Sequence, residues 1–391
     1  RSNEDAITFL EPYLRQTRKF QDLRDVLLTA ARDPNADEER RKGYFREVAG
    51  LCETQLRDAE TATTALKELL AIDVTDDGAR SQLKRLLEKA QQWDELASVM
   101  AQEAEQVLDV EARISLEKAL AKLHEGKRKD PVATGEAWAR IAGLASGDDE
   151  AINTAVGYFE KGERADLAVV VITENLPAIS DDTQRAELLS KLGSLRQQTG
   201  DALGAGEAYA EASTLTKKAS LWELAEKAFV TAEAWDQAAT AVDERAQLAS
   251  EPAAKAALYF TEAGYLSRAG DDASSVLRLE QATELDAKNE EYATGLEERY
   301  RAAERVADLA QYLLRRAEKL DDKSLRSSLR RRTAKLQKEE LGDDDAARAT
   351  LNDLLADGED VQALAYLADD AAGRSEFKDA VDFLARLVKA S

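Results

Sequence analysis

The sequence predicts an all-α protein built as an array of stacked helix pairs. A short segment that opens on a bulky residue returns at intervals of 73, 71, 71, 71 and 71 residues, beginning at Phe20, Trp93, Arg164, Trp235, Val306 and Phe377. Such a regular period is typical of stacked units and not of one closed core. Ala, Leu, Glu and Arg, which are strong helix formers, dominate the composition, and only 5 Pro and 19 Gly are present. Period and composition together favour a helical-repeat array.

A second recurring mark divides each period further. It joins a residue suited to ending one helix to an Asp suited to capping the next, at Arg57-Asp58, Lys129-Asp130, Gly200-Asp201, Gly270-Asp271 and Gly342-Asp343. The two marks together divide each period into four helices. We therefore predict a single array of about 22 helices, with a partial module at 1–35 and four-helix modules at 36–108, 109–180, 181–250, 251–320 and 321–391.

Apolar spacing places the helices of the third module. Leu188, Leu189, Leu192 and Leu195 form one stripe at helical spacing. The four helices of this module are predicted over 181–199, 201–215, 218–232 and 235–249. Loops of two to six residues force neighbouring helices to run antiparallel.

The third module also resembles a tetratricopeptide (TPR) repeat. Leu192-Gly193, Ala205, Tyr209 and Ala212 fall on the spacing of that helix pair, and Ala263-Gly264 and Ala49-Gly50 look similar in two other modules. The small pair is expected to let two helices approach closely. The second helix pair of each module departs from the pattern, so Sel1-like and HEAT-like helix pairs remain open. The resemblance implies a right-handed α-solenoid of about eleven antiparallel helix pairs that binds proteins along a concave face.

Charge and composition bound the partners and the compartment. The net charge of −23 disfavours nucleic acid and anionic membrane surfaces, and no apolar run is long enough to insert into a bilayer. The single Cys52 excludes an intramolecular disulfide framework. We expect a cytoplasmic protein, with the periplasm left open, because the chain starts at Arg1, has its one Met at Met100 and is expected to lack its native start.

The sequence offers no set of residues for chemistry, so we predict no catalytic, metal-binding or cofactor-binding residue. His124 is the only histidine and is expected to be a solvated residue at a helix end. Residues 73–78 resemble the opening of a calcium loop, but its twelfth position is Lys84 where a Glu is required. We expect an acidic capping turn there.

The aromatic residues that open the repeated segment have two interpretations. Trp93, Trp235 and Phe377 could pack into the junction between adjacent helix pairs or stack on a ligand. Arg164 and Val306 replace the ring in two copies, which favours packing.

One region departs from the general acidity. Residues 315–338 contain ten basic and three acidic residues, a local charge of +7, so the rest of the chain carries −30. Arg326, Ser328, Arg331, Lys335 and Lys338 are candidates for docking an acidic peptide or an acidic copy of the array. The alternative is that these cations pair with acids of neighbouring helices, such as Glu339, Glu340 and residues 343–345.

The TPR alignment places further residues in the groove. These candidates for hydrogen bonding to an extended peptide are Glu187, Ser190, Ser194, Gln197 and Gln198 in the third module and Leu258, Thr261, Tyr265 and Arg268 in the fourth.

These observations predict a non-enzymatic protein–protein interaction scaffold that helps to assemble a multi-protein complex. The composition resembles that of arrays in large bacterial envelope or motility machines. A structural spacer without a groove ligand is the first alternative. An enzyme is the second, and it would need a deep pocket that joins carboxylates to His124.

Overall fold

The protein is described by a computed structural model that covers the backbone of residues 2–390 and the side chains of residues 7–390. Contacts divide the chain into two compact units, residues 1–184 and 185–391, which are described separately. Over residues 2–390 the regular elements are 22 α-helices, two π-helical turns and one short 3-10 helix, without a strand. The all-α, TPR-like prediction and its count of about 22 helices are confirmed.

Ten helices lie in the first unit. They are α1 (Ser2–Gln16), α2 (Phe20–Ala31), α3 (Glu38–Leu51), α4 (Ala59–Ile72), α5 (Asp77–Lys89), α6 (Trp93–Gln106), α7 (Val110–Leu123), α8 (Pro131–Leu144), α9 (Asp149–Lys161) and α10 (Ala165–Asn175). π-Helical turns at Cys52–Leu56 and His124–Arg128 extend α3 and α7, and a 3-10 helix at Leu176–Ala178 follows α10.

The helix α11 (Asp182–Thr199) begins three residues before the second unit, which contains the remaining helices. They are α12 (Ala202–Thr216), α13 (Ala219–Thr231), α14 (Trp235–Leu248), α15 (Pro252–Ala269), α16 (Asp272–Leu285), α17 (Glu290–Ala302), α18 (Val306–Lys319), α19 (Lys323–Glu339), α20 (Asp344–Asp357), α21 (Val361–Gly373) and α22 (Phe377–Ala390). Each predicted four-helix module encloses four of these helices, so α3, α7, α11, α15 and α19 are the first helices of their modules and α6, α10, α14, α18 and α22 are the fourth.

Helices pack on their neighbours in sequence. Within the first unit each helix from α1 to α10 contacts the next, and the same holds from α12 to α22 in the second unit. The α11–α12 pair is joined by Arg196, whose guanidinium donates to the carbonyl of Gly204 at 2.8 Å. Each unit is therefore a serial stack of helix pairs. The right-handed turn and the single continuous array remain predictions.

Side-chain contacts also join alternate helices. Among odd-numbered helices, the hydroxyl of Tyr265 in α15 donates to Glu226 of α13 at 3.0 Å. Among even-numbered helices, Arg278 of α16 pairs with Asp243 of α14 at 2.8 Å. In the second unit α15 thus lies beside α13, and α16 lies beside α14.

Aspartates cap the helices as predicted. Asp58, Asp130, Asp201, Asp271 and Asp343 each accept a hydrogen bond from the backbone N–H three residues later. The preceding residue is left-handed, with φ of 54° at Arg57, 52° at Lys129, 85° at Gly200, 88° at Gly270 and 66° at Gly342. The stop-and-cap signal is confirmed, and at Arg57 and Lys129 it works without glycine.

The glycine of the predicted small pair packs closely against another helix at one of its three copies. A Cβ at Gly193 would lie 2.7 Å from the Tyr209 ring, whereas at Gly50 and Gly264 it would meet no described atom within 4 Å. The glycine itself is therefore closely packed only at Gly193, whereas in the other two pairs the buried member is the alanine, with Ala49 at 0% and Ala263 at 2% exposure.

Candidate functional site

The predicted groove residues recur on one face of three first helices. On α11 they are Glu187, Ser190, Ser194 and Gln197; on α15, Leu258, Thr261, Tyr265 and Arg268; and on α19, Ser328, Arg331, Lys335 and Lys338. Spacings of three, four and three residues place each set on one helix face, and all twelve side chains are exposed or half-buried. We call these residues the first-helix stripe.

The α11 part of the stripe is polar and uncharged apart from Glu187. Ser190 donates its hydroxyl to the carbonyl of Ala186 at 2.8 Å, and Gln197 accepts from the hydroxyl of Tyr209 at 3.3 Å. Gln197 and the neighbouring Gln198 are exposed. Because an amide carries both donors and acceptors, this surface can hydrogen-bond the backbone of another polypeptide.

The α15 part of the stripe contains a stacked group. The Tyr265 ring lies 6.1 Å from the Trp235 ring at 25°, and the Arg268 guanidinium lies 4.7 Å from the centre of the same indole. Burial, and then the adjacent Glu226 carboxylate, raises the pKa of Tyr265 to about 12. Tyr265 is therefore a neutral hydrogen-bond donor to Glu226, and its ring is largely occupied by contacts within the chain.

The packing interpretation of the repeated aromatic residues fits two of them. Trp235 packs on α15 as described, and Trp93 is half-buried against the core of the first unit with the Lys127 ammonium 5.3 Å from its ring centre. Phe377, by contrast, is 68% exposed. This difference could not be predicted, because all three residues open a helix after the same kind of loop.

The basic segment of α19 is extensively paired inside the second unit. Arg326 lies 3.4 Å from Asp357 and donates to the carbonyl of Leu320 at 3.3 Å. Arg331 pairs with Asp360 at 2.8 Å. The acids that pair with these arginines are therefore mainly Asp357, at the end of α20, and Asp360, the N-cap of α21. They are not Glu340 and residues 343–345, which were named from the sequence.

The two lysines of the α19 stripe are the most accessible cations of the set. Lys335 is 70% exposed and lies 3.8 Å from Glu339, a distance that gives a weak surface pair. Lys338 is exposed, and its ammonium lies 4.3 Å from the ring centre of Tyr366 in α21. These lysines can engage an external carboxylate at little internal cost.

Sequence reasoning missed two clefts between second and fourth helices. One, of about 610 Å³, lies between α4 and α6, with Leu70, Val74 and Val99 among its lining. The other, of about 120 Å³, lies between α16 and α18, with Arg315 and Lys319 at its edge. Each cleft lies between the second and the fourth helix of its module. The residues that line the two clefts differ in chemistry, so no shared residue type marks the clefts as equivalent in the sequence.

His124 is not the solvated residue that the sequence predicted. It is 6% exposed, and its Nδ1 lies 2.6 Å from Nη1 of Arg128. Burial, followed by the Arg128 charge, lowers the pKa of His124 below its ordinary value. His124 follows Leu120 and Ala121 by four and three residues, and these are 1% and 3% exposed, so its ring continues the buried face of α7.

The acidic turn at 73–78 has the capping role that was predicted. Asp76 caps α5 by accepting from the N–H of Ala79 at 2.9 Å, and Asp73 accepts from Lys42 at 2.9 Å. Throughout the described residues, no group of three or more His, Cys, Asp or Glu side chains is arranged to hold a metal ion. Among the same residues, none of the helices has the length and apolarity needed to cross a bilayer.

The serial helix pairs of the described residues have a TPR-like helical-repeat fold. No protein-family model matches the sequence, and no curated protein matches it significantly. Similar solved structures include the Naa15/Naa10 complex bound to HypK, with a TM-score of 0.30 and 12% identity over 100% of this chain and 76% of that one.

Two further similar structures are explicitly TPR proteins. The C-terminal part of a TPR repeat-containing protein from Cytophaga hutchinsonii has a TM-score of 0.28 and 13% identity over 64% of this chain and 99% of that one. The TPR domain of P58(IPK) has a TM-score of 0.23 and 16% identity over 87% and 99%. Likeness at this level says nothing about function.

Proposed function

We propose that this chain is a non-catalytic protein–protein interaction scaffold whose first-helix stripe binds an extended segment of a partner protein. The observation that carries the proposal is the recurrence of the same four positions on α11, α15 and α19, each with accessible side chains. Amides and hydroxyls on α11 offer backbone hydrogen bonds, and cations on α15 and α19 offer charge. Serial helix pairs supply a surface of this kind without enclosing a reaction site.

Charge selects an acidic partner segment. Lys335 and Lys338 stand out from a chain of net charge −23, so an acidic segment is attracted to α19 and repelled elsewhere. The partner would therefore be positioned by its charge as well as by its backbone. A more specific proposal is that the chain belongs to a bacterial envelope or motility machine. Only the composition supports it, and identification of the partner tests it.

The test compares capture of partners by the unchanged protein and by a variant with Arg331, Lys335 and Lys338 replaced by Glu. A matched control carries Lys217→Glu, Lys218→Glu and Lys227→Glu, which changes the net charge equally at residues outside the stripe. After a captured partner is identified and purified, we expect about tenfold or weaker binding for the stripe variant only, and weaker binding of the unchanged protein in high salt. Equal loss in both variants, or in neither, would reject the stripe.

A second variant separates an effect on binding from an effect on folding. Arg331 also pairs with the cap of α21, so its reversal could loosen that helix. The double variant Lys335→Glu/Lys338→Glu leaves this pair intact and should retain most of the effect on binding.

The structural spacer remains a second candidate because of one observation. Arg330 pairs with Asp357 at 2.5 Å and Arg332 pairs with Glu297, in addition to the Arg326 and Arg331 contacts, so much of the basic segment stabilises the stack itself. If the chain is a spacer, removal of one 71-residue module abolishes activity in the parent system whereas stripe variants retain it.

A further inference from the structure

The cleft between α4 and α6 has an apolar wall and a polar edge. Leu70, Val74 and Val99 form part of the wall, and Val74 is 48% exposed. Its volume of about 610 Å³ lies within the range of about 300–1,000 Å³ that is usual for ligand sites. The polar edge is a row of three exposed side chains on α6, namely Ser98, Gln102 and Gln106. We call this site the α4–α6 cleft.

The α4–α6 cleft is open although the neighbouring helices are in place. The helices α3, α5 and α7 are all described, and α5 packs on both α4 and α6. Lys67 of α4 pairs with Glu95 of α6, and Arg80 of α5 donates to the amide oxygen of Gln106 at 2.9 Å. These contacts hold the two walls together. The cleft therefore lies inside the array and is not a helix face left over at one end of it.

The corresponding cleft of a later module is largely filled by the chain itself. Three periods of 71 residues separate the α4–α6 cleft from the cleft between α16 and α18, so that Val99 corresponds to Tyr312. Tyr312 is 5% exposed, and the cleft beside it has a volume of about 120 Å³. One module further on, the corresponding residue is Phe383, which packs against the core that contains Leu354. Two later modules thus supply an aromatic ring at the position where the α4–α6 cleft has a valine.

We propose that the α4–α6 cleft binds an aromatic side chain carried by an extended segment of a partner protein. The ring would lie on Leu70, Val74 and Val99, in the space that corresponds to the ring of Tyr312. Burial of an aromatic ring against apolar side chains contributes a large part of the binding free energy at protein interfaces. Binding here does not depend on the first-helix stripe, which lies on helices of the second unit.

The polar row suits an extended backbone. Ser98, Gln102 and Gln106 recur every four residues, which is about 6 Å along a helix. Every second residue of an extended chain recurs at about 6.6–6.8 Å, so its backbone groups can meet the row in succession. Within the described chain, Ser98 and Gln102 make no side-chain hydrogen bond, and Gln106 uses only the oxygen that accepts from Arg80. A free aromatic molecule would leave this row unused.

A second copy of the chain is a poorer occupant. The large aromatic side chains that are exposed among the described residues, Phe9, Tyr13 and Phe377, all lie in helices. The polar row instead requires an extended segment. Two chains that each carry a net charge of −23 also repel one another. These observations favour a different protein as the source of the ring.

The test uses capped pentapeptides of glycine and serine with either tryptophan or leucine at the centre. NMR chemical shifts of the methyl groups of Leu70, Val74 and Val99 report binding in the cleft. We expect saturable shifts with the tryptophan peptide and about tenfold weaker binding of the leucine peptide. Capped tryptophan alone lacks the neighbouring backbone and should also bind about tenfold more weakly.

Three variants test the residues of the cleft. Val99→Tyr places in the cleft the ring that the chain has at Tyr312, and it should abolish binding of the tryptophan peptide. Val170→Tyr is the matched control, because it adds the same ring one module later at a site that is 48% exposed, and it should bind as the unchanged protein does. Gln102→Ala leaves the apolar wall intact and should weaken binding about threefold to tenfold, which keeps the test valid if Val99→Tyr misfolds. In the module of Val170 the residues that correspond to the polar row are Val169, Thr173 and Pro177.

Several results would overturn the proposal. They are unchanged methyl shifts, equal binding of the tryptophan and leucine peptides, equal binding of capped tryptophan alone, or full binding by both Val99→Tyr and Gln102→Ala. Concentration-dependent self-association in sedimentation velocity that Val99→Tyr abolishes and Val170→Tyr retains would instead identify a second copy as the occupant.

Discussion

The ring of Tyr209 in α12 lies against the backbone of Gly193 in α11, where a Cβ would come within 2.7 Å of the ring. Gly193→Ala forces the ring or the helix to move, and we expect a loss of about 1–3 kcal/mol in the free energy of unfolding. Gly264→Ala at the equivalent place in α15 is the matched control, because a Cβ there meets no described atom within 4 Å. The control should gain up to about 1 kcal/mol through helix propensity. Chemical denaturation measures both, and equal effects would contradict the packing explanation.

The loop before each fourth helix holds a non-glycine residue in the left-handed conformation. Glu233 has φ of 55°, and Gln91, Glu163 and Glu304 have φ of 56°, 56° and 55°. Because this conformation strains L residues, Glu233→Gly should stabilise the second unit by about 0.5–1 kcal/mol, net of the added freedom of the unfolded chain. Lys227→Gly, at an exposed site inside α13, should instead destabilise it by about 1 kcal/mol. Thermal unfolding compares the two, and a loss at Glu233 would contradict the strain argument.

The buried His124 makes stability depend on pH. Its pKa is lowered in the folded state, so the unfolded chain binds a proton that the folded chain refuses. The contribution of His124 is therefore present above the unfolded pKa of about 6.5 and is lost as the pH falls below it. His124→Gln should remove this component from the difference in unfolding free energy between pH 7.5 and pH 5.5. Equal differences for both proteins would show that His124 does not titrate on unfolding.

The buried Glu262 acts in the opposite direction. It is 3% exposed, accepts from Nε of Arg278 at 2.8 Å, and has a second oxygen without a hydrogen-bond partner among the described residues. Burial raises its pKa to about 7, although the Arg278 charge opposes the shift. The folded state therefore retains the proton, and its stabilising effect is present below the unfolded pKa and is lost as the pH rises through about 7.

Glu262→Gln should consequently become more stable than the unchanged protein as the pH rises from 5 to 8, by about 1–3 kcal/mol. Denaturation over this range measures the difference. Glu284→Gln, at an exposed site on α16, controls for loss of a charge and should show little pH-dependent difference. A gain of the same size in the control would contradict the burial argument.

Much of the fold could be predicted from the sequence because local chemistry determines it. The helices of the third module begin and end within two residues of the predicted bounds, since Asp201 and its equivalents cap them and Gly200 ends the preceding helix. The burial of His124 was missed because its charged neighbours suggested a solvated helix end, although its spacing from Leu120 and Ala121 places it on the buried face of α7. The left-handed conformation of Glu233 could not be predicted either, because glycine is the residue expected in that conformation.

The accessibility of the candidate residues could be predicted, but their ion-pair partners could not. The TPR spacing placed Arg331, Lys335 and Lys338 on one accessible face, as the structure has them. The acid that pairs with Arg331 is Asp360, 29 residues away at the start of another helix. Such ion pairs depend on how a helix packs against the second helix after it. The spacing of residues within one helix does not reveal this packing.

The side-chain hydrogen bonds that tie one helix to another reach only a short way along the chain, and one of the longest, from Tyr265 to Glu226, spans 39 residues. A helix emerging from the ribosome therefore finds its partners among segments made immediately before and after it. Each helix pair can therefore fold during synthesis, before distant parts of the chain have been made. Unfolding of one pair leaves the contacts of pairs farther along the chain intact.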